Sequence, residues 1–213
     1  FKNTRRTYPE YPRLVDPITH QVSMTFFFGM DSPDEHTSNP DRSADENAAN
    51  YVEVRKQLLT LGFENHRLSA AEKMNLLRDP KITDQLNDEG SNGFTIEILS
   101  KHSPRTNIEI LLFFGATGIE EKSRPFHLLY KRAFEQNSLL LYNGHSGLGG
   151  HLDLNEIGKL ESLSIEPSKD RYQIFFFNSC TSYSYYNLSY FKLKSTAADP
   201  FGTKNLDILA NGL

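Results

Sequence analysis

Three stretches of this sequence constrain the fold more than anything else in it: VSMTFFFGM at 22–30, LLLYN at 139–143 and YQIFFFN at 172–178. Each is strand-sized and lacks the regular polar alternation of a half-exposed strand. A strand without that alternation is covered on both faces, which is the situation of a parallel sheet packed between helices. Each stretch also ends in a polar or Gly-rich segment. In a parallel sheet those segments gather at the carboxyl edge, where ligands bind.

The intervening segments supply the helices. NAANYVEVRKQLLTLGF puts Tyr51, Val54, Leu58 and Leu61 on one helical face, with Asp45 or Asn47 as its cap and Gly62 as its end. A short strand is expected at 63–68, and a weaker helical stretch at 70–87 is broken by Pro80. Runs at 94–100 and 107–114 read as strands, either as a hairpin or with the second as a core parallel strand. Pro125 opens a helix to about residue 137. A helix at 154–163, a Tyr-rich helix or loop after 182 and a last strand at 205–210 complete the pattern. The alternation predicts an α/β fold, with a mainly parallel sheet flanked by helices on both faces.

With 213 residues the chain reads as one domain at 21–213, preceded by a Pro-punctuated extended arm at 1–20. The start at Phe1 carries the expectation that residues were removed upstream, and the arm then reads as a propeptide remnant. The end at Leu213, just past an expected strand, leaves a further C-terminal element open, and oligomeric state is not legible. A net charge of −4 argues against nucleic acid as a partner. No apolar run approaches the roughly 20 residues of a membrane span. Cys180 is the single cysteine, so no intrachain disulfide forms; this suits the cytosol without excluding secretion or the periplasm. The triplet Asn187-Leu188-Ser189 fits a glycosylation sequon, a match common by chance.

The chemistry gathers around GHSGLGGH at 144–151. It is close to a lipase elbow, but that turn needs Gly-x-Ser-x-Gly, and Leu148 stands where the second Gly belongs. The elbow fold also orders its triad as serine, acid, histidine. Only His151 follows Ser146, with no acid strand between them. Ser146 is therefore not the nucleophile. Cys180 directly follows the most apolar strand and lies between Ser179 and Thr181. An ordinary thiol is mostly protonated at neutral pH and needs a base beside it. His145, in the same position beyond its own strand, is the candidate for that base.

LLLYNGHSGLGG followed by YQIFFFNSC resembles the caspase–legumain–gingipain clan of cysteine peptidases, with His145 and Cys180 35 residues apart (180 − 145). Locally the wording is similar to metacaspases. Their Tyr-Ser-Gly-His-Gly-Gly is matched by Tyr142 to Gly147, and their Asp-Ser-Cys-x-Ser-Gly by Asn178 to Tyr183. The resemblance implies a caspase-like fold and an endopeptidase acting on peptide or protein substrates without a cofactor. Cys180 would attack the peptide carbonyl, and His145 would protonate the leaving amine. Backbone N–H groups of Cys180 and of Ser146 or Gly147 would hold the oxyanion.

The departures from that pattern are specific. Ser146 stands where the clan has the Gly that follows its histidine, and losing one oxyanion donor costs about 2.7–4 kcal/mol. Asn178 replaces an Asp that favours Arg or Lys at the cleaved position, so basic specificity is not implied. Asn178 and Ser182 are the expected substrate contacts. No third residue orienting His145 is identified. The alternative function is a catalytically inactive domain of the same fold that binds peptides or partner proteins.

Two other constellations carry less. His145, His151, Asp153 and Cys180 lack any paired ligand spacing for zinc. The acidic loop 31–46 lacks the calcium-loop pattern and reads as a solvated loop that could line the cleft.

Overall fold

Phe27 and Phe28 are neighbours in sequence and belong to separate cores on opposite sides of one sheet. A computed structural model describes residues 9–33, 35–87, 89–119 and 121–212; the expectations for 1–8 lie outside them. The chain runs β1 (Gln21–Gly29), α1 (Glu46–Thr60), β2 (Glu64–Arg67), α2 (Ala70–Leu77), β3 (Phe94–His102) and β4 (Asn107–Gly115). It continues as α3 (Arg124–Gln136), β5 (Leu139–Asn143), α4 (Leu154–Glu161), β6 (Gln173–Asn178), α5 (Ser182–Lys194) and β7 (Leu206–Ala210). The seven strands form one sheet in the order β2-β3-β4-β1-β5-β6-β7.

The sheet is mixed and mostly parallel. β1 pairs in parallel with both β4 and β5, and β5, β6 and β7 continue in parallel. The two readings of 94–114 both hold: β3 and β4 are an antiparallel hairpin, and β4 is also a core parallel strand against β1. β2 closes the antiparallel edge against β3.

One face is covered by α1, whose Ala48 and Tyr51 pack with Phe28, Leu112 and Phe114. The other face carries α3, α4 and α5, through Phe126, Tyr130, Ile157, Tyr186 and Tyr190 around Phe27, Phe175 and Phe177. The rings interlock: Phe126 lies 5.2 Å from Phe27 edge-on and 6.0 Å from Tyr142. Each such ring, fully buried, contributes about 1.5–3 kcal/mol.

Several local expectations are refined. Asp45 is the cap of α1, accepting from the Asn47 N–H, but Leu61 lies beyond the helix and is 61% exposed. The segment 70–87 splits at Arg78, whose left-handed backbone ends α2 before a 3-10 turn at Pro80–Gln85. The Tyr-rich segment is a helix, α5. The arm is not extended where it is described. Tyr11–Leu14 forms a 3-10 turn, and Leu14 is buried with Val22, Tyr172 and Ile174.

β1 is where the topology reverses. The chain first builds outward through α1 to the β4 side of β1, then crosses over through α3 to the β5 side. Loops leaving neighbouring strands β1 and β5 therefore diverge to opposite faces. The crevice between them, at the carboxyl edge, is the ligand position of an open α/β sheet.

Candidate active site

Register sets the site. Phe28 of β1 pairs with Asn143 of β5, and Asn143 pairs with Asn178 of β6. His145 and Cys180 each stand two residues beyond that last pair. The Gly144 N–H donates to the Asn178 carbonyl at 3.3 Å, carrying the β5–β6 connection one residue past the strands. Both residues are exposed at one edge, with 57% of the His145 side chain open to solvent.

Asp31, three residues beyond Phe28, completes the group. Its Oδ1 lies 3.2 Å from Nε2 of His145. At that distance the carboxylate favours a proton on Nε2, which leaves the Nδ1 lone pair for the base. Desolvation raises the Asp31 carboxyl above its ordinary value, and the nearby charge of Asp45 adds to the effect. The Asp45 side chain accepts the Asp31 N–H at 2.7 Å while capping α1, so the start of that helix holds Asp31 in place.

The loop after His145 is built around its carbonyls. The buried Tyr142 phenol donates to the His145 carbonyl at 2.6 Å and accepts from the Thr117 hydroxyl at 2.9 Å. His151 Nδ1 lies 3.0 Å from the same carbonyl, and Tyr186 donates to the Ser146 carbonyl at 3.2 Å. In a trans peptide the N–H points opposite the C=O. Anchoring the carbonyls of His145 and Ser146 inward therefore turns the N–H groups of Ser146 and Gly147 the other way. Ser146 thus keeps the geometry of a backbone donor while its side chain is buried.

Gly147 is required where it stands. Its φ is +53°, and an added Cβ would sit 2.1 Å from the His151 ring. The glycine that spoils a lipase elbow is the one that lets the chain wrap around His151. That histidine lies inside the 3-10 turn Gly147–Leu152. Leu148, also left-handed, is 88% exposed at the tip. A cleft of about 490 Å3 runs beside this turn, bordered by Gly149, Tyr185 and Tyr186. Another, of about 670 Å3, lies away from the edge between α2 and α3.

Cys180 sits on a tight strand-to-helix turn. The Ser182 N–H donates to the Ser179 carbonyl at 3.3 Å, and Thr181 takes a left-handed φ of 54°. Such a conformation in a β-branched residue is strained and persists only where the surroundings impose it. The turn lifts the thiol clear of the sheet at the start of α5.

The two expected substrate contacts fare differently. Ser182 is fully buried, and its hydroxyl donates to the Phe177 carbonyl and accepts the Asn211 N–H. It closes the β6–α5 turn, and the expectation that it touches substrate is corrected. Asn178 is exposed, with its amide bonded to Asn143 on one side and Asn211 on the other. Among the described residues no group of three or more His, Cys, Asp or Glu is placed to hold a metal ion, and no helix is long and apolar enough to cross a membrane.

Comparison with family models, with curated proteins and with solved structures finds no match for the chain. The fold and the edge geometry define its class: an α/β domain with a seven-stranded, mostly parallel sheet. Its carboxyl edge carries an imidazole backed by a carboxylate, one strand away from a free thiol.

Proposed function

We propose that this protein is a cysteine endopeptidase of the caspase-like type, with His145 as acid/base and Cys180 as nucleophile. The observation that carries the reading is the Asp31–His145 pair at 3.2 Å, on the strand that neighbours the one leading to Cys180. A solvent-exposed histidine with no catalytic duty needs no half-buried carboxylate, anchored by its own N–H to a helix cap, behind its Nε2. In the proposed reaction the Cys180 thiol gives its proton to Nδ1 of His145 as sulfur attacks the carbonyl carbon. The N–H groups of Ser146 or Gly147 and of Cys180 stabilise the oxyanion. His145 then protonates the departing amine, leaving a thioester that water hydrolyses with His145 as base. Asn178 brings no carboxylate to a basic side chain of the substrate, so cleavage after Arg or Lys is not expected.

The test is digestion of a diverse peptide library by wild type and by Cys180→Ala, read by mass spectrometry. Cleavage confined to the wild type is expected. Cleavage that survives in Cys180→Ala rejects the assignment. No cleavage by either, with Cys180 alkylated no faster than free cysteine, moves the protein to an inactive, peptide-binding domain.

A further inference from the structure

Four asparagines cross the carboxyl edge of the sheet in one hydrogen-bonded row. Asn47 Nδ2 donates both its hydrogens, to the Gly29 carbonyl and to Asp31 Oδ1, each at 2.8 Å. Asn143 Nδ2 then donates to Asn47 Oδ1, and Asn178 Nδ2 to Asn143 Oδ1. Asn211 Nδ2 closes the row on Asn178 Oδ1 at 2.6 Å. The four residues come from α1, β5, β6 and the residue just after β7.

The direction of the row is forced. A carbonyl and a carboxylate can only accept, so the Asn47 amide must turn its nitrogen to Gly29 and Asp31. Its oxygen is then left for Asn143, and each following amide inherits the same orientation. Four amide dipoles therefore point their donor ends toward one carboxylate. Chains of this kind strengthen one another, and donors aimed at an ionised oxygen are the strong ones. The charged or titratable groups around that carboxylate are Asp45 and Glu46 at the start of α1 and His145 beyond β5. Asp31 thus meets two acidic neighbours on one side, and the Asn47 amide and the His145 ring on the other.

We propose that Asn47, Asn143, Asn178 and Asn211 are positioning residues. Their polarised amide row orients the Asp31 carboxylate and, through it, the Nε2–H tautomer of His145. The inference rests on the reading of His145 as acid/base, and it assigns Asn178 to the row rather than to substrate.

Asn178→Ala separates these roles, because its side chain is exposed and its removal breaks the row in the middle. Two readouts need no peptide: the imidazole nitrogen resonances of His145, and the rate at which iodoacetamide alkylates Cys180 at neutral pH. The expected result is a loss of Nε2–H tautomer and a roughly threefold to tenfold slower alkylation, the loss of about one hydrogen bond's influence. Asn211→Ala, one link further out, should give the same changes, smaller. Unchanged tautomer and unchanged alkylation in both variants overturn the proposal. If Asn178→Ala does not fold, the Asn211→Ala result decides alone. Slow, His145-independent alkylation in the wild type rejects the peptidase reading instead, and the His145 spectra still judge the row.

Discussion

Gly147 shows how much of the site hangs on single atoms. A methyl group there would meet the His151 ring and would have to keep a φ of +53°. Left-handed backbone costs a residue with a Cβ about 1–2 kcal/mol. Gly147→Ala should therefore destabilise the protein by about 1–3 kcal/mol in urea unfolding, the larger values adding the collision. It should also displace His151 from the His145 carbonyl and slow Cys180 alkylation. Normal stability with normal alkylation would show that the turn tolerates a side chain. Ser146 is the opposite case. It departs from the pattern it resembles, yet its backbone alone is at stake, and the Tyr142 and Tyr186 phenols fix that backbone whatever the side chain.

At the scale of elements, the site is a property of where strands end and helices begin. Asp45 serves two of them: one carboxylate oxygen caps α1 and the other holds the Asp31 N–H. Asp45→Ala should cost about 1–2 kcal/mol of stability for the lost cap and the abandoned donor. It should also slow alkylation by loosening Asp31. A stability loss without any change at Cys180 would uncouple the helix start from the site. The same scale explains what was legible in the sequence. His145 and Cys180 each follow an apolar strand closely, so strand ends alone point to them. Asp31 stands in a loop crowded with carboxylates, and only the pairing of Phe28 with Asn143 selects it from the rest. The asparagine row was equally hidden, since its members lie on four elements far apart in sequence. Ser182 misled because matching a motif position says nothing about which way a side chain faces. The hairpin at 94–114 stayed open for a related reason: a strand shared between an antiparallel and a parallel neighbour carries the pattern of both.

For the whole molecule, acid should act in two separable steps, because its carboxylates are shifted in opposite directions. Asp41 is held low by the hydrogen bond from Arg55, with Arg67 adding to it. Glu72 is held down to about 2 by bonds from Ser69, with His66 beside it. Groups of this sign lend stability that is complete above their unfolded values and lost as pH falls through the lower folded ones. Asp31 has the reverse sign. Burial raises it, so it takes up a proton earlier, and protonation there relieves a cost to the fold rather than adding one. Protonated, it no longer offers His145 a negative partner. On lowering the pH, the Asp31 carboxyl carbon resonance should show its step while far-UV circular dichroism is still native. The loss of helix signal should follow only at lower pH. Asp31→Asn should remove the first step and leave the second in place. Coincidence of the Asp31 step with the loss of helix signal would show that acid acts on the site and the fold in one step.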